Sequence, residues 1–140
     1  MQDLLNQLKF SRAISPTRGT DNTAEVSEIV DTAGFDSLML AIATGTLADA
    51  DATFTVLFED GDESDLSDNG GAADADLIGT EVLASFAFGD DDEVRTIGYK
   101  GTKRYCRATI TPASNDSGNW DLSAMWVQGH ARLLPQSSQV

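Results

Sequence analysis

The run Thr53-Phe54-Thr55-Val56-Leu57-Phe58-Glu59 decides the fold class. Successive side chains of a strand point to opposite faces, so a period of two sets Phe54, Val56 and Phe58 on one face and Thr53, Thr55 and Leu57 on the other. The same reading repeats in both directions along the chain. Residues 37–43 are apolar on both faces, as a central strand covered from both sides would be. Residues 82–88 place Val82, Ala84, Phe86 and Phe88 on one side. Residues 93–99 and 104–111 make two further strands around a hairpin-like loop at 100–103, and 122–129, carrying Trp126, make the last. Residues 23–30 are rich in strand formers up to the turn residues 31–34, and 10–14 supply a first strand. About eight strands at this spacing predict an all-β chain, an antiparallel β-sandwich or jelly roll, with no long amphipathic helix.

A chain of 140 residues fits one domain. Residues 1–18 read as an extended N-terminal arm, 19–133 as the sandwich and 134–140 as a C-terminal tail. Leu4, Leu5 and Leu8 have helical spacing, but two turns are too short to hold alone in water. The arm has two readings, contact with a neighbour or docking on its own domain. Residues 60–80 form a long acidic excursion, expected as a surface loop with one helical turn near 64–68.

The formal net charge of -14 repels phosphate backbones and anionic headgroups, which argues against nucleic-acid and membrane-surface partners. No apolar run reaches the ~20 residues that span a bilayer. The first residues lack the basic and apolar regions of a secretory signal. Cys106 is the single cysteine, so no internal disulfide forms, and a reducing cytosol is the expected folding compartment. Charge is uneven: no Lys or Arg lies between Arg18 and Arg95, whereas Arg95, Lys100, Lys103, Arg104, Arg107 and Arg132 face only Asp116 and Asp121 beyond residue 93. These cations either dock on an acidic partner or neutralise acids within their own sheet.

Reactive groups are sparse. A Cys106/His130 dyad is conceivable, but Cys106 alternates with Ala108 and Ile110 on a face that reads as core. One Cys and one His do not make a zinc site. Asp60, Asp62, Ser64 and Asp65, and the run Asp90, Asp91, Asp92, offer hard oxygen ligands for calcium. The first set lacks the glycine and the bidentate glutamate of a helix-loop-helix site, and a solvated acidic loop is the plainer reading. No phosphate-binding glycine loop is present, so neither cofactor nor metal is expected and the chain reads as a non-enzyme. Tyr105 and Arg107 share the face opposite Cys106, and such residues serve as interface anchors. Trp120, with Asp116, Asn119 and Asp121, is the one patch suggesting a carbohydrate-binding module.

Four phrases occur together: Asp-Thr-Ala-Gly-Phe-Asp-Ser at 31–37, Ala-Asp-Ala-Thr-Phe-Thr-Val-Leu-Phe-Glu-Asp-Gly at 50–61, Leu-Ile-Gly-Thr-Glu at 77–81 and Ile-Gly-Tyr-Lys-Gly-Thr-Lys-Arg-Tyr-Cys-Arg-Ala-Thr-Ile-Thr-Pro at 97–112. In this order they resemble the jelly-roll capsid cement, or decoration, proteins of tailed bacteriophages, over about residues 29–130. The resemblance implies a virion protein on the capsid exterior that bridges and stabilises major capsid subunits, self-associated as a dimer or trimer. Other virion parts (tail, fibre or head completion) are the alternative. No catalytic residue comes with the resemblance. Leu4, Leu5, Leu8, Phe10 and Arg12 of the arm, with Arg104, Tyr105 and Arg107, are the residues expected at capsid or subunit interfaces.

Overall fold

The computed structural model describes residues 3–136, and its architecture follows from the period-two pattern. The strands in chain order are β1 (Lys9–Gly19), β2 (Glu25–Val26), β3 (Val30–Asp31), β4 (Phe35–Leu47), β5 (Thr53–Gly61), β6 (Gly70–Gly71), β7 (Leu77–Ile78), β8 (Phe86–Ala87), β9 (Val94–Tyr99), β10 (Tyr105–Ala113) and β11 (Trp120–Ala131). One sheet, here sheet A, has the order β1-β11-β4-β9-β7. The other, sheet B, has β10 and β5 at its centre, with β2 and β3 along β10 and β6 and β8 along β5. Every pairing is antiparallel. The two sheets pack as a jelly-roll-like sandwich. No helix among the described residues is long and apolar enough to cross a membrane.

The core lies where the alternation of 53–59 puts it. Phe54, Val56 and Phe58 of β5 and Cys106, Ala108 and Ile110 of β10 meet Leu38, Leu40 and Ile42 of β4 and Ile97 of β9. Two aromatic groups tie the sheets together. Phe58 stacks on Tyr99 at 5.5 Å between centroids and meets Trp126 edge-on at 5.7 Å. Phe54 stacks on Phe86 at 4.8 Å and meets Trp120 edge-on at 5.9 Å. Offset-stacked and edge-on pairs of this kind add to the stabilisation from area burial alone.

Between β1 and β4 the chain crosses from sheet A to sheet B, and inner-face side chains of β11 fasten the crossing. The Trp120 and Trp126 indole N–H groups donate to the carbonyls of Asp21 and Glu28, each at 3.0 Å, and Gln128 donates to that of Asp31 at 2.8 Å. Gly19 is required there, because a Cβ would sit 1.9 Å from the Trp120 ring.

Several expectations are corrected. Of the arm expected over 1–18, residues from Lys9 onward form β1, paired with β11 from Lys9↔Gln128 to Gly19↔Trp120. An edge strand can hold Pro16 and two register shifts, because its outer N–H groups have no ladder to complete. Residues 82–88 are not one strand. The Thr80 hydroxyl accepts from the Leu83 amide and caps a short helix, α1 (Glu81–Ala84), before β8. Residues 64–68 form turns rather than a helical turn. In the segment expected as a tail, the Gln136 amide donates to the Asn6 carbonyl at 2.8 Å; residues 137–140 lie outside the described residues.

Candidate protein-binding face

The outward face of sheet B is mostly polar, although Leu57 and Val26 are exposed on either side of Thr109. Thr53, Thr55, Leu57 and Glu59 of β5 stand opposite Ala113, Thr111, Thr109 and Arg107 of β10. Arg107 grips Glu59 with two parallel bonds, both 2.9 Å, and Glu59 also accepts from Thr109 and Asn69. This guanidinium holds the Glu59 carboxyl below the usual range despite its burial. Arg104 does the same to Asp31, with bonds of 3.0 and 2.8 Å, while lying over the Tyr105 ring at 5.1 Å. Arg104, Tyr105 and Arg107 are therefore engaged inside the chain.

The outward face of sheet A is different. Its register aligns Ile78, Gly98, Met39, Val127 and Phe10 in one row across all five strands. The next row holds Thr96, Ala41, Met125 and Arg12, and the third Val94, Ala43 and Ser123. Arg12 is the single charged residue of these three rows. Ile78 is 60% exposed, Val94 68% and Met125 45%, while Met39, Ala41, Ala43 and Val127 are half-buried. A groove of about 830 Å³ opens on this face, walled by Leu4, Leu8, Met39, Ile78, Val127 and Leu134. Leu4, Leu8, Phe10 and Arg12 thus gather at this face, on the opposite sheet from Arg107, and exposed Leu5 precedes β1 beside them. Continuous apolar chains at 37–43 signalled this strip. That pattern predicts a strand covered on both sides, yet its outward residues Met39, Ala41 and Ala43 stay half-exposed.

The remaining candidate chemistry disperses. Cys106 is fully buried on sheet B, and burial pushes its thiol up to about 12. His130 bonds the Ser37 hydroxyl at 2.9 Å on sheet A, so the two form no dyad. The acidic loops use their carboxylates to fold themselves. Asp68 accepts from the amides of Asp62 and Glu63, Asp65 from that of Ser67, and Asp91 from that of Leu47. Asp60 accepts from the Tyr99 hydroxyl and Asp62 from Lys103. Asp49, nearly buried, accepts from the amides of Asp51, Asp116 and Ser117, which hold its carboxyl below the usual range. Among the described residues no three His, Cys, Asp or Glu side chains are grouped as metal ligands would be. Trp120, the aromatic residue of the suggested carbohydrate patch, starts β11 and is 1% exposed, so that patch lacks its aromatic platform.

Most cations neutralise acids distant in sequence: Arg18 pairs with Asp121, Arg104 with Asp31, Arg107 with Glu59 and Arg132 with Asp36, while Arg95 pairs with the nearby Asp90 and Glu93. The apparent charge dipole of the sequence is largely folded away. What remains is an acidic surface interrupted by one charge-poor apolar sheet face.

No family model matches the chain. No curated protein matches it either. Solved structures are similar to it. A chain of the infectious bursal disease virus Gx strain superposes over 92% of this chain and 33% of its own length, at TM-score 0.50 and 11% identity. The Clostridium thermocellum xylanase 10B structure, with CBM22-1 and GH10 modules and xylohexaose, matches 95% of this chain and 28% of its own at TM-score 0.49 and 9% identity. The bacteriophage CBA120 tailspike protein 4 enzymatically active domain matches 85% and 18% at TM-score 0.45 and 10% identity. This chain spans a third or less of each of these, and at 11% identity the likeness to the virus chain is one of fold.

Proposed function

We propose that the chain is a structural protein of a tailed-phage virion, a cement protein on the capsid exterior that binds protein surfaces and does no catalysis. The observation that carries this reading is the outward face of sheet A: a folded, acidic domain keeps a broad apolar sheet face that it does not cover. Large exposed apolar patches on an otherwise polar protein mark sites of association. The phrases at 31–37, 50–61, 77–81 and 97–112 support the virion setting through their resemblance to cement proteins. The sandwich shared with a chain of the infectious bursal disease virus is compatible with it. On this reading the partners are the major capsid protein and further copies of the chain, and attachment gains strength by repetition over a lattice.

Quantitative protein composition of purified virions tests the proposal. A fixed copy ratio to the major capsid protein is expected, and absence from virions would overturn it. Removal of residues 1–8, which precede β1, is expected to lower occupancy on heads while leaving the thermal transition of the domain in place. Unchanged occupancy would remove Leu4, Leu5 and Leu8 from the contact.

A further inference from the structure

We infer that the outer edge of β9, at Val94 and Thr96, is a strand-addition site. Its occupant is an extended segment of another protein, with alternating apolar residues and basic ends. This site is the rim of sheet A rather than its outward face, and it does not depend on the virion reading.

The ladder defines the edge. Along an antiparallel strand the main-chain groups of successive residues turn alternately to one neighbouring strand and the other. The Thr44 amide donates to the Glu93 carbonyl, and the Lys100 amide to that of Asp76. With the register Ile42↔Arg95 and Leu40↔Ile97, Arg95 and Ile97 turn toward β4, and Val94, Thr96 and Gly98 turn outward. Of these three, β7 answers only Gly98, in the pair Ile78↔Gly98. It stops there because Gly79, at φ 88°, swings the chain away and the Thr80 hydroxyl caps α1. Among the described residues, nothing in the chain meets the outward amides and carbonyls of Val94 and Thr96.

The other three sheet edges are closed, each by a different device. β1 carries Pro16 and two register shifts, and its Ala13 carbonyl accepts from the Glu28 amide. Along β10, Ser27 fills the gap between β2 and β3. Its hydroxyl accepts from the Ala108 amide, and its own amide donates to the Ala108 carbonyl. Along β5, between β6 and β8, the Ser85 hydroxyl and the Glu81 carboxylate accept from the Val56 and Phe58 amides at 3.0 and 2.5 Å. The α1 segment thus closes β5. It also packs on β9, yet gives the edge of β9 no such bond among the described residues.

Side chains then select the occupant. Soluble proteins blunt an exposed edge with charge or proline. Here Val94 and Ile78 are largely exposed, and α1 exposes Val82 and Leu83. Alternation puts Arg95 on the other face of the strand, where it pairs with Asp90 and Glu93. Unpaired main-chain groups fit an extended backbone, and the apolar flank fits every second side chain along it. Asp74, Asp76, Glu81, Asp91 and Asp92, in the segments that flank the edge, meet no cation among the described residues. Basic ends on the added segment complement them, whereas β9 of a second copy would bring the same acids against each other.

Amide exchange and chemical shifts on the full chain, read by NMR, test the site with a synthetic peptide. The probe is Lys-Val-Thr-Val-Thr-Val-Lys, blocked at both ends. In the chain alone, the Val94 and Thr96 amides are expected to exchange far faster than those of Arg95 and Ile97. The peptide is expected to slow both at least about tenfold. Thr96→Pro removes an outward N–H without breaking the ladder to β4, and is expected to abolish the peptide's shift changes. Val94→Pro, at the first residue of β9, serves if Thr96→Pro fails to fold, as judged by circular dichroism. Replacing both lysines of the peptide by glutamate should weaken binding at least about tenfold at low salt. Val94 and Thr96 amides as protected as Ile97 in the chain alone would overturn the inference. So would no slowing at millimolar peptide, binding that survives the proline variants, or equal binding of the two peptides. Protection that rises with chain concentration without peptide would assign the edge to a second copy and overturn it too. Failure here leaves the virion test untouched, because that test counts copies on heads.

Discussion

Both outward faces of the sandwich are antiparallel, pleated and built on long strands, yet their side chains solve different problems. On sheet B, Thr53, Thr55, Thr109 and Thr111 surround the Arg107–Glu59 pair, so the two charges at the centre of that face are paired within the sheet. On sheet A, Met39, Ala41, Ala43, Met125 and Val127 offer almost nothing to water and nothing to one another beyond contact. Hydrogen-bonded polar groups finish a surface. An apolar strip four to five strands wide leaves it unfinished, because its burial free energy of about 25 cal/mol per Å² is gained only when something covers it. The contrast separates a face that stabilises the monomer from a face that serves assembly.

Three substitutions sharpen that contrast. The largest effect belongs to the core that both faces share. Phe58→Ala removes the ring between Tyr99 and Trp126 and is expected to cost about 3–5 kcal/mol in urea unfolding. A cost under 1 kcal/mol would mean that the aromatic group does not join the sheets.

Next comes the finished face. Arg107→Ala deprives Glu59 of its bidentate partner and is expected to cost about 2 kcal/mol near neutral pH. The Glu59 carboxyl is held below its ordinary range in the folded protein, so its contribution is fully present above the unfolded value near pH 4.3 and is lost as pH falls through the folded value. The gap between wild type and Arg107→Ala should therefore narrow below about pH 4. A gap constant from pH 7 to pH 3 would show that the ion pair contributes nothing specific.

The smallest effect on folding belongs to the open face. Met125→Thr is expected to change the stability of the dilute monomer by no more than about 0.5 kcal/mol, because the residue lies outside the core and stays 45% exposed. A loss above 2 kcal/mol would erase the distinction between the faces.

The residues that could be read in advance were those whose surroundings are set by their own strand. Phe54, Val56 and Phe58 face inward because alternation leaves them no other side, and Cys106 was placed in the core by Ala108 and Ile110 beside it. Short segments were harder. Val82 and Leu83 have strand-like alternation, but a Thr80 cap bond turns them into helix. Trp120 sat among Asn, Ser and Gly, and nothing local told that Gly19, about a hundred positions away, would leave room for its ring. The residues expected at interfaces fall on two faces because β1 and β10 belong to opposite sheets.

By itself the sequence determined the class of fold, the inward set of side chains and the strongly acidic charge. These depend on composition and on periodicity within five to nine residues. Only the tertiary structure decided that residues 9–19 join sheet A, that the cations are spent on distant acids, and that one face of β4 is left bare. Each of these depends on which strand lies alongside which, as in the pairing of Arg18 with Asp121 across 103 positions, and a local pattern carries no record of its neighbour across the sheet.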